Sequence, residues 1–276
     1  MKTKILFFSL LMILMSSCSS LYYQFYKTAP IGDIIKQNNS LIFENEDCKI
    51  IYNFWCEGGD IGFTFLNKTD EIIQIKLDKC FFVLNGFAYD YFKNREYIYS
   101  SSSSLLNSFT NASATSYANV NSSVFGQVNA TSRTADRLSS SGHSVTTLEM
   151  KDVFVPPHSA KNISEYNINN SLYKDCDMTL TPSTKKQKLP LTFSLTNSPY
   201  IFRNMITYSV GESSDFKKVE NGFYVQEISN SAESDAVKLE YEKICGKETM
   251  TQIKIFKNES PDMFYIKYNM DVSNEK

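Results

Sequence analysis

Tight turns recur about every eight to twelve residues between Cys48 and Phe92, and this spacing constrains the fold more than any other feature of the chain. Ile50-Ile51-Tyr52-Asn53-Phe54-Trp55 runs into the turn Glu57-Gly58-Gly59-Asp60, after which Ile61, Phe63 and Phe65 alternate with Gly62, Thr64 and Leu66. Asn67-Lys68-Thr69-Asp70 makes the next turn. Ile73, Ile75 and Leu77 then alternate with Gln74 and Lys76 at the period of a half-buried strand. Phe81 to Leu84 continues past a kink at Asp78-Lys79, Asn85-Gly86 supplies a hairpin turn, and Phe87, Tyr89 and Tyr91 return on one face. Connections this short exclude crossover helices. They predict a mainly β chain, an antiparallel β-sandwich that is Ig-like in the broad sense, rather than βαβ units. With 20 Phe and 17 Tyr against 10 Gly and 7 Pro, composition favours strands as well.

Further strands are predicted over residues 145–155, ending at Pro156-Pro157, and over 189–195, 200–210, 222–228, 251–256 and 263–268. At most one or two short helices fit. One is expected within 231–243, where Ala232, Ala236, Leu239 and Ile244 fall at helical intervals, Ser231 or Ser234 can cap and Gly246 can stop it. A single helical turn is allowed at Gly32-Asp33-Ile34-Ile35-Lys36-Gln37.

Residues 100–142 break the pattern. Ser, Asn, Ala and Thr dominate them, and they lack the large apolar side chains that offset ordering entropy, so they read as a flexible insert. A second reading exists, because Ala118, Val120, Ser122, Val124, Gly126, Val128 and Ala130 alternate with Asn119, Asn121, Ser123, Gln127 and Asn129. Small apolar and polar residues in alternation suit a strand with one lipid-facing side, and residues 105–138 would then form a membrane β-hairpin. Phe125 on the polar side counts against that reading.

The start of the chain predicts export. Lys2 and Lys4 precede an apolar run from Ile5 to Met15 that is too short to span a bilayer, marking residues 1–17 as a signal peptide. Leu14-Met15-Ser16-Ser17-Cys18 is similar to a bacterial lipobox, with Met15 departing from the usual Leu, Val or Ile. Cleavage before Cys18 would leave a cysteine carrying palmitate-type acyl chains, so the expected location is the cell envelope, with the outer membrane preferred over the inner. Residues 18–39 read as a lipid-anchored N-terminal segment and 40–276 as the sandwich region. Tyr22, Tyr23, Phe25 and Tyr26 either lie at the membrane interface or begin the fold.

Four stretches together resemble a group of uncharacterised lipoproteins common in gut Bacteroidetes. They are Tyr52-Asn53-Phe54-Trp55 with Glu57-Gly58-Gly59-Asp60; Asn67-Lys68-Thr69; Phe81 to Gly86 with Ala88-Tyr89-Asp90-Tyr91; and Val155-Pro156-Pro157-His158-Ser159. The similarity extends to Asn221-Gly222-Phe223-Tyr224-Val225 with Glu227-Ile228 and so covers most of the chain after Cys18. It implies an envelope location, a lipid anchor and a β-sandwich, and it carries no activity.

Charge and chemistry narrow the rest. The 28 basic and 30 acidic residues are near balance and unsegregated, which gives no electrostatic footprint for nucleic acid. Lipid on Cys18 leaves five cysteines, so at least one stays free or pairs between chains. If Cys48 to Cys56 is one strand, its ends lie roughly 26 Å apart, beyond the reach of a disulfide. Cys176 with Cys245 is the pairing to test first. No metal or cofactor is expected, since there is no CxxC or HxxxH spacing and the histidines are His143 and His158, both read as solvated loop residues. Ser141-Gly142-His143-Ser144 is no nucleophile elbow, Asp175-Cys176-Asp177 no calcium loop, and Glu57 to Asp60 no phosphate loop. Trp55 reads as core rather than as a sugar platform. No residue is assigned a catalytic role. The leading expectation is a non-enzymatic binding or scaffolding protein with an envelope protein or glycan partner; the alternative is a subunit of an envelope pore or secretion channel, and the third an enzyme acting on glycans or peptides.

Overall fold

A computed structural model describes residues 21–104, 113–117, 140–182 and 185–269. Its strands in the first half of the chain are β1 (Leu21–Ile31), β2 (Ile35–Gln37), β3 (Ser40–Glu44), β4 (Cys48–Tyr52), β5 (Phe63–Asn67), β6 (Ile73–Lys76), β7 (Phe81–Leu84), β8 (Phe87–Asp90), β9 (Glu96–Ser104) and β10 (Ser113–Tyr117). Those in the second are β11 (Ser140–Leu148), β12 (Asp152–Val155), β13 (Ala160–Ile163), β14 (Leu191–Thr192), β15 (Ile201–Val210), β16 (Lys217–Ala232), β17 (Val237–Ile244), β18 (Lys247–Phe256) and β19 (Met263–Asn269). All named pairings are antiparallel. The expected antiparallel sandwich is therefore the observed one.

One layer is a nine-stranded sheet ordered β12-β6-β15-β16-β1-β19, with β14, β7 and β8 attached at its sides; the other is the five-stranded sheet β13-β5-β4-β3-β2. β6 and β7 lie along the same edge of β15, separated by the 3₁₀ turn Leu77–Lys79, which is the kink expected at Asp78-Lys79. Alternation fixes the inward faces: Cys48, Ile50 and Tyr52 of β4 and Phe63 and Phe65 of β5 meet Phe202, Ile206, Tyr208, Phe223 and Val225 of β15 and β16. The Tyr52 ring meets Phe223 edge-on at 5.3 Å and Phe65 meets Tyr208 at 5.5 Å. Each such side chain stabilises by about 1.5–3 kcal/mol on burial.

Polar groups inside the sandwich are spent on joining its parts. The Tyr52 hydroxyl donates to Asn221 Oδ1 across the layers at 2.9 Å, and the Tyr91 hydroxyl donates to Asn204 Oδ1 at 2.8 Å while Asn204 Nδ2 donates to the Ile61 carbonyl. Two of the stretches that carry the family resemblance come together here: buried Asn67 donates through Nδ2 to the carbonyls of Glu71, Val155 and Pro156. A third forms the close crossing between layers, because a Cβ at Gly59, whose φ is +72°, would sit 2.7 Å from Phe264 Cγ.

Several expectations are corrected. Of the two readings of Tyr22, Tyr23, Phe25 and Tyr26, the strand pairing favours the second: β1 lies between β16 and β19, with Tyr22, Gln24 and Tyr26 turned to the core side and Tyr23 and Phe25 to the other. The aromatic cluster thus begins the fold. The turn at 32–37 is not helical, since Gly32 turns the chain and Ile35 pairs with Ile42. The helix expected over 231–243 shrinks to the single turn Glu233–Ala236; from Val237 to Tyr241 apolar or aromatic residues alternate with charged ones, and this strand pairs with β18 through a turn in which Cys245 and Gly246 both take positive φ. The strand expected over 189–195 is only the two residues of β14.

The Ser/Asn-rich insert is also more regular than a loop where it is described. β9 runs through Ser104 and faces β11 from Glu96↔Leu148 to Ser104↔Ser140, with β10 on its other side from Ser113↔Ser103 to Tyr117↔Tyr99. Tyr97, Ile98, Tyr99, Val145, Thr146 and Thr147 have the β-propensity to set this register, and serine carries the ladder onward. β10 thus runs antiparallel to β9. The alternation at 118–130 lies outside the described residues.

Candidate binding surface

On the outward face of β1 and β19, five rings gather: Tyr23 and Phe25 of β1, Tyr265 of β19, Phe256 at the end of β18, and Trp55 from the loop after β4. Phe256 lies 4.7 Å from Tyr265, 5.0 Å from Trp55 and 5.2 Å from Tyr23, and Trp55 stacks on Phe25 at 6.3 Å. Trp55 is accordingly half-buried outside the sandwich and not between its layers. The parity of β4 explains why: Cys48, Ile50, Tyr52 and Phe54 point inward, which sends the next residue the other way, and the strand closes as Asn53 Oδ1 accepts from the Trp55 N–H.

The rings anchor the root of the β17–β18 hairpin, whose strands pair only with each other among the described residues. A salt bridge at 2.7 Å joins Lys254 to Glu233, and the Lys257 N–H donates to the Ala236 carbonyl at 3.0 Å. Beyond this root the hairpin exposes Leu239 at 61 %, Tyr241 at 48 %, Ile244 at 58 % and Met250 completely. Beside it is a polar cleft of about 220 Å³ walled by Phe25, Ser229, Ser231 and Asn258 and crossed by the Lys188–Asp235 ion pair at 2.6 Å.

A buried polar network holds the facing loop. Tyr26 donates to Gln24 Oε1, Gln24 Nε2 donates to Asn230 Oδ1 at 3.0 Å and to the Tyr173 carbonyl at 2.9 Å, and Asn169 Nδ2 donates to the Tyr26 hydroxyl at 3.2 Å. Burial pushes the Tyr26 hydroxyl far above its ordinary range, so it stays a neutral donor. Burial likewise pushes the thiols of Cys48 and Cys80 up to about 12, which keeps them protonated and unreactive.

The other residues singled out from the sequence do not converge. Cys18 lies outside the described residues. Cys176 and Cys245 are both exposed free thiols, Cys245 at the tip of the β17–β18 hairpin, and Cys48, Cys56 and Cys80 are free as well. His158 is exposed in a turn and its Nε2 lies 2.8 Å from Asp70 Oδ1. His143 falls in β11 opposite Ser101 rather than in a loop. Glu57 to Asp60 forms two bridges, to Tyr265 and Asn167, and Asp175 Oδ1 accepts from the Asp177 N–H within a turn. Among the described residues no group of three or more His, Cys, Asp or Glu side chains is placed to hold a metal, and no helix is long and apolar enough to cross a membrane. The hairpin itself was missed in the sequence as a surface; the signal was the alternation Val237-Lys238-Leu239-Glu240-Tyr241. No protein-family model matches the chain, and no curated protein or solved structure matches it.

Proposed function

We propose that the chain is a lipid-anchored envelope protein, held by acyl chains on Cys18, that binds or scaffolds another envelope component without catalysis. The observation that carries the binding role is the β17–β18 hairpin: five large apolar side chains, Leu239, Tyr241, Ile244, Met250 and Ile253, stand exposed on an element rooted in the sandwich by five rings. Isolated two-stranded hairpins are marginal in water, so apolar side chains retained on one favour a contact elsewhere. A protein suits this surface better than a glycan, because free strand edges offer main-chain pairing and all the exposed apolar side chains but Tyr241 are non-aromatic. The export signal, the lipobox likeness and the resemblance to Bacteroidetes lipoproteins support the envelope location. A photo-crosslinking amino acid placed at Met250 or Ile253 of the full chain, in native envelopes, is expected to capture one discrete protein species, and one placed at Lys218 on the sandwich is not. Capture at Lys218 with none on the hairpin overturns the reading.

A further inference from the structure

We infer that β17 pairs edge to edge and antiparallel with β17 of a second copy of this chain, in the register that sets Leu239 opposite Leu239. This goes beyond the scaffolding role and does not depend on it. Of the hairpin's two edges, β17 is the regular one. Tyr241 faces Gln252 and Lys243 faces Glu248, so between these pairs β18 carries three residues against one on β17. A bulge of this kind bends an edge away from further pairing. β17 has no such interruption, and its outer side has no backbone partner among the described residues.

Ladder geometry then selects the register. In an antiparallel pair, facing residues either both turn N–H and C=O toward the partner or both turn them away, so a strand paired with its own copy has its axis at a residue and not between two. An axis at Glu240 sets Glu240 against itself, and one at Tyr241 sets Glu240 against Glu242 twice and Leu239 against Lys243 twice. An axis at Leu239 sets Lys238 against Glu240 twice, Val237 against Tyr241 twice and Leu239 against itself. Only the last has no like-charge or mixed pair. Within one chain Lys238 and Glu240 are already ion-paired at 2.5 Å, so a second copy would extend an existing row of alternating charge. Val237, Leu239 and Tyr241 occupy the opposite face, and their copies complete an apolar patch of six side chains across two strands. The contact is isologous and closes as a dimer.

The test uses the full chain in detergent, with Cys176 and Cys245 changed to Ser. Sedimentation is expected to give a dimer that Leu239→Lys weakens at least about tenfold and Met250→Lys changes less than about twofold. Facing Cα atoms in either kind of antiparallel pair lie about 4.5–5.5 Å apart, within disulfide reach. Mild oxidation should therefore link Leu239→Cys to itself, and should link Lys238→Cys to Glu240→Cys only when the two proteins are mixed. A monomer at about 0.1 mM overturns the proposal. So does equal crosslinking at Leu239→Cys and Met250→Cys, or self-linkage of Glu240→Cys in place of Leu239→Cys. An envelope partner captured by a monomer, or a dimer that captures nothing, separates this proposal from the scaffolding role.

Discussion

Arg95 ties the base of the serine-rich arm to Glu149 and Glu165. Its guanidinium donates to Glu149 Oε1 at 2.6 Å and to both oxygens of Glu165 at 2.8 Å, while Lys93 reaches Glu165 at 2.7 Å and lies over the Tyr166 ring. The Glu149 N–H donates to the Arg95 carbonyl at the base of β9 and β11. Burial, the largest single influence, would raise both carboxyls, but the hydrogen bonds from Arg95 and Lys93 together with their charges outweigh it and hold both below the ordinary carboxylate range. Groups with depressed values contribute stability that is fully present above the unfolded value of about 4.5 and is lost as pH falls through the folded values. The arm base should therefore lose amide-exchange protection below about pH 4, before the sandwich core does. In Arg95→Gln, protection at Glu149 should already be low at about pH 6 and change little on acidification. A wild-type arm equally protected at about pH 3 and pH 6 would show that these contacts carry no stability.

At the scale of elements, the arm and the sandwich are separable. Among the described strands β9 pairs only with β10 and β11, and β9 and β11 end side by side at Ser104 and Ser140. Deleting residues 105–139 and joining Ser104 to Ser140 through Asn-Gly should change unfolding free energy in urea by under about 1 kcal/mol, since loop closure depends weakly on length. A loss above about 2 kcal/mol would place part of the insert against the core. The same independence explains what was legible in the sequence. Strands whose one face enters the core, such as Ile73 to Lys76 or Met263 to Asn269, announce themselves by period two, and Asn85-Gly86 fixes β7 and β8. The serine strands carry no alternation of large apolar and polar residues in the sequence, and their pairing is the continuation of the register of Tyr97 to Tyr99 against Val145 to Thr147. Val237 to Ile244 misled for the opposite reason. Leu239 and Ile244 fit a helical stripe as well as a strand, and only the pairing with β18 decides between them. Trp55 was lost to a one-residue change of parity that Phe54 conceals.

For the whole molecule, the short distance between Cys18 and the sandwich ties location to geometry. Ser19 and Ser20 alone separate Cys18 from Leu21, the first residue of a strand that pairs on both sides from its outset, Tyr22 with Ala232 and Leu21 with Asn269. Three fully extended residue steps span at most about 11 Å, so an acylated Cys18 would hold this end of the nine-stranded sheet close to the bilayer surface. The proposed anchor and the fold would nonetheless draw on different interactions. Acyl chains contribute about 0.8 kcal/mol per buried CH₂ to membrane binding, whereas β1 is fixed by its ladders and by Tyr22, Gln24 and Tyr26. Cys18→Ser is therefore expected to abolish fatty-acid labelling and release the protein from membranes, while the urea midpoint of the purified chain stays unchanged. Label persisting in Cys18→Ser would remove the anchor from the proposal. A shifted midpoint would instead show that residues ahead of Leu21 take part in the fold, and that the sandwich and its tether are one structure.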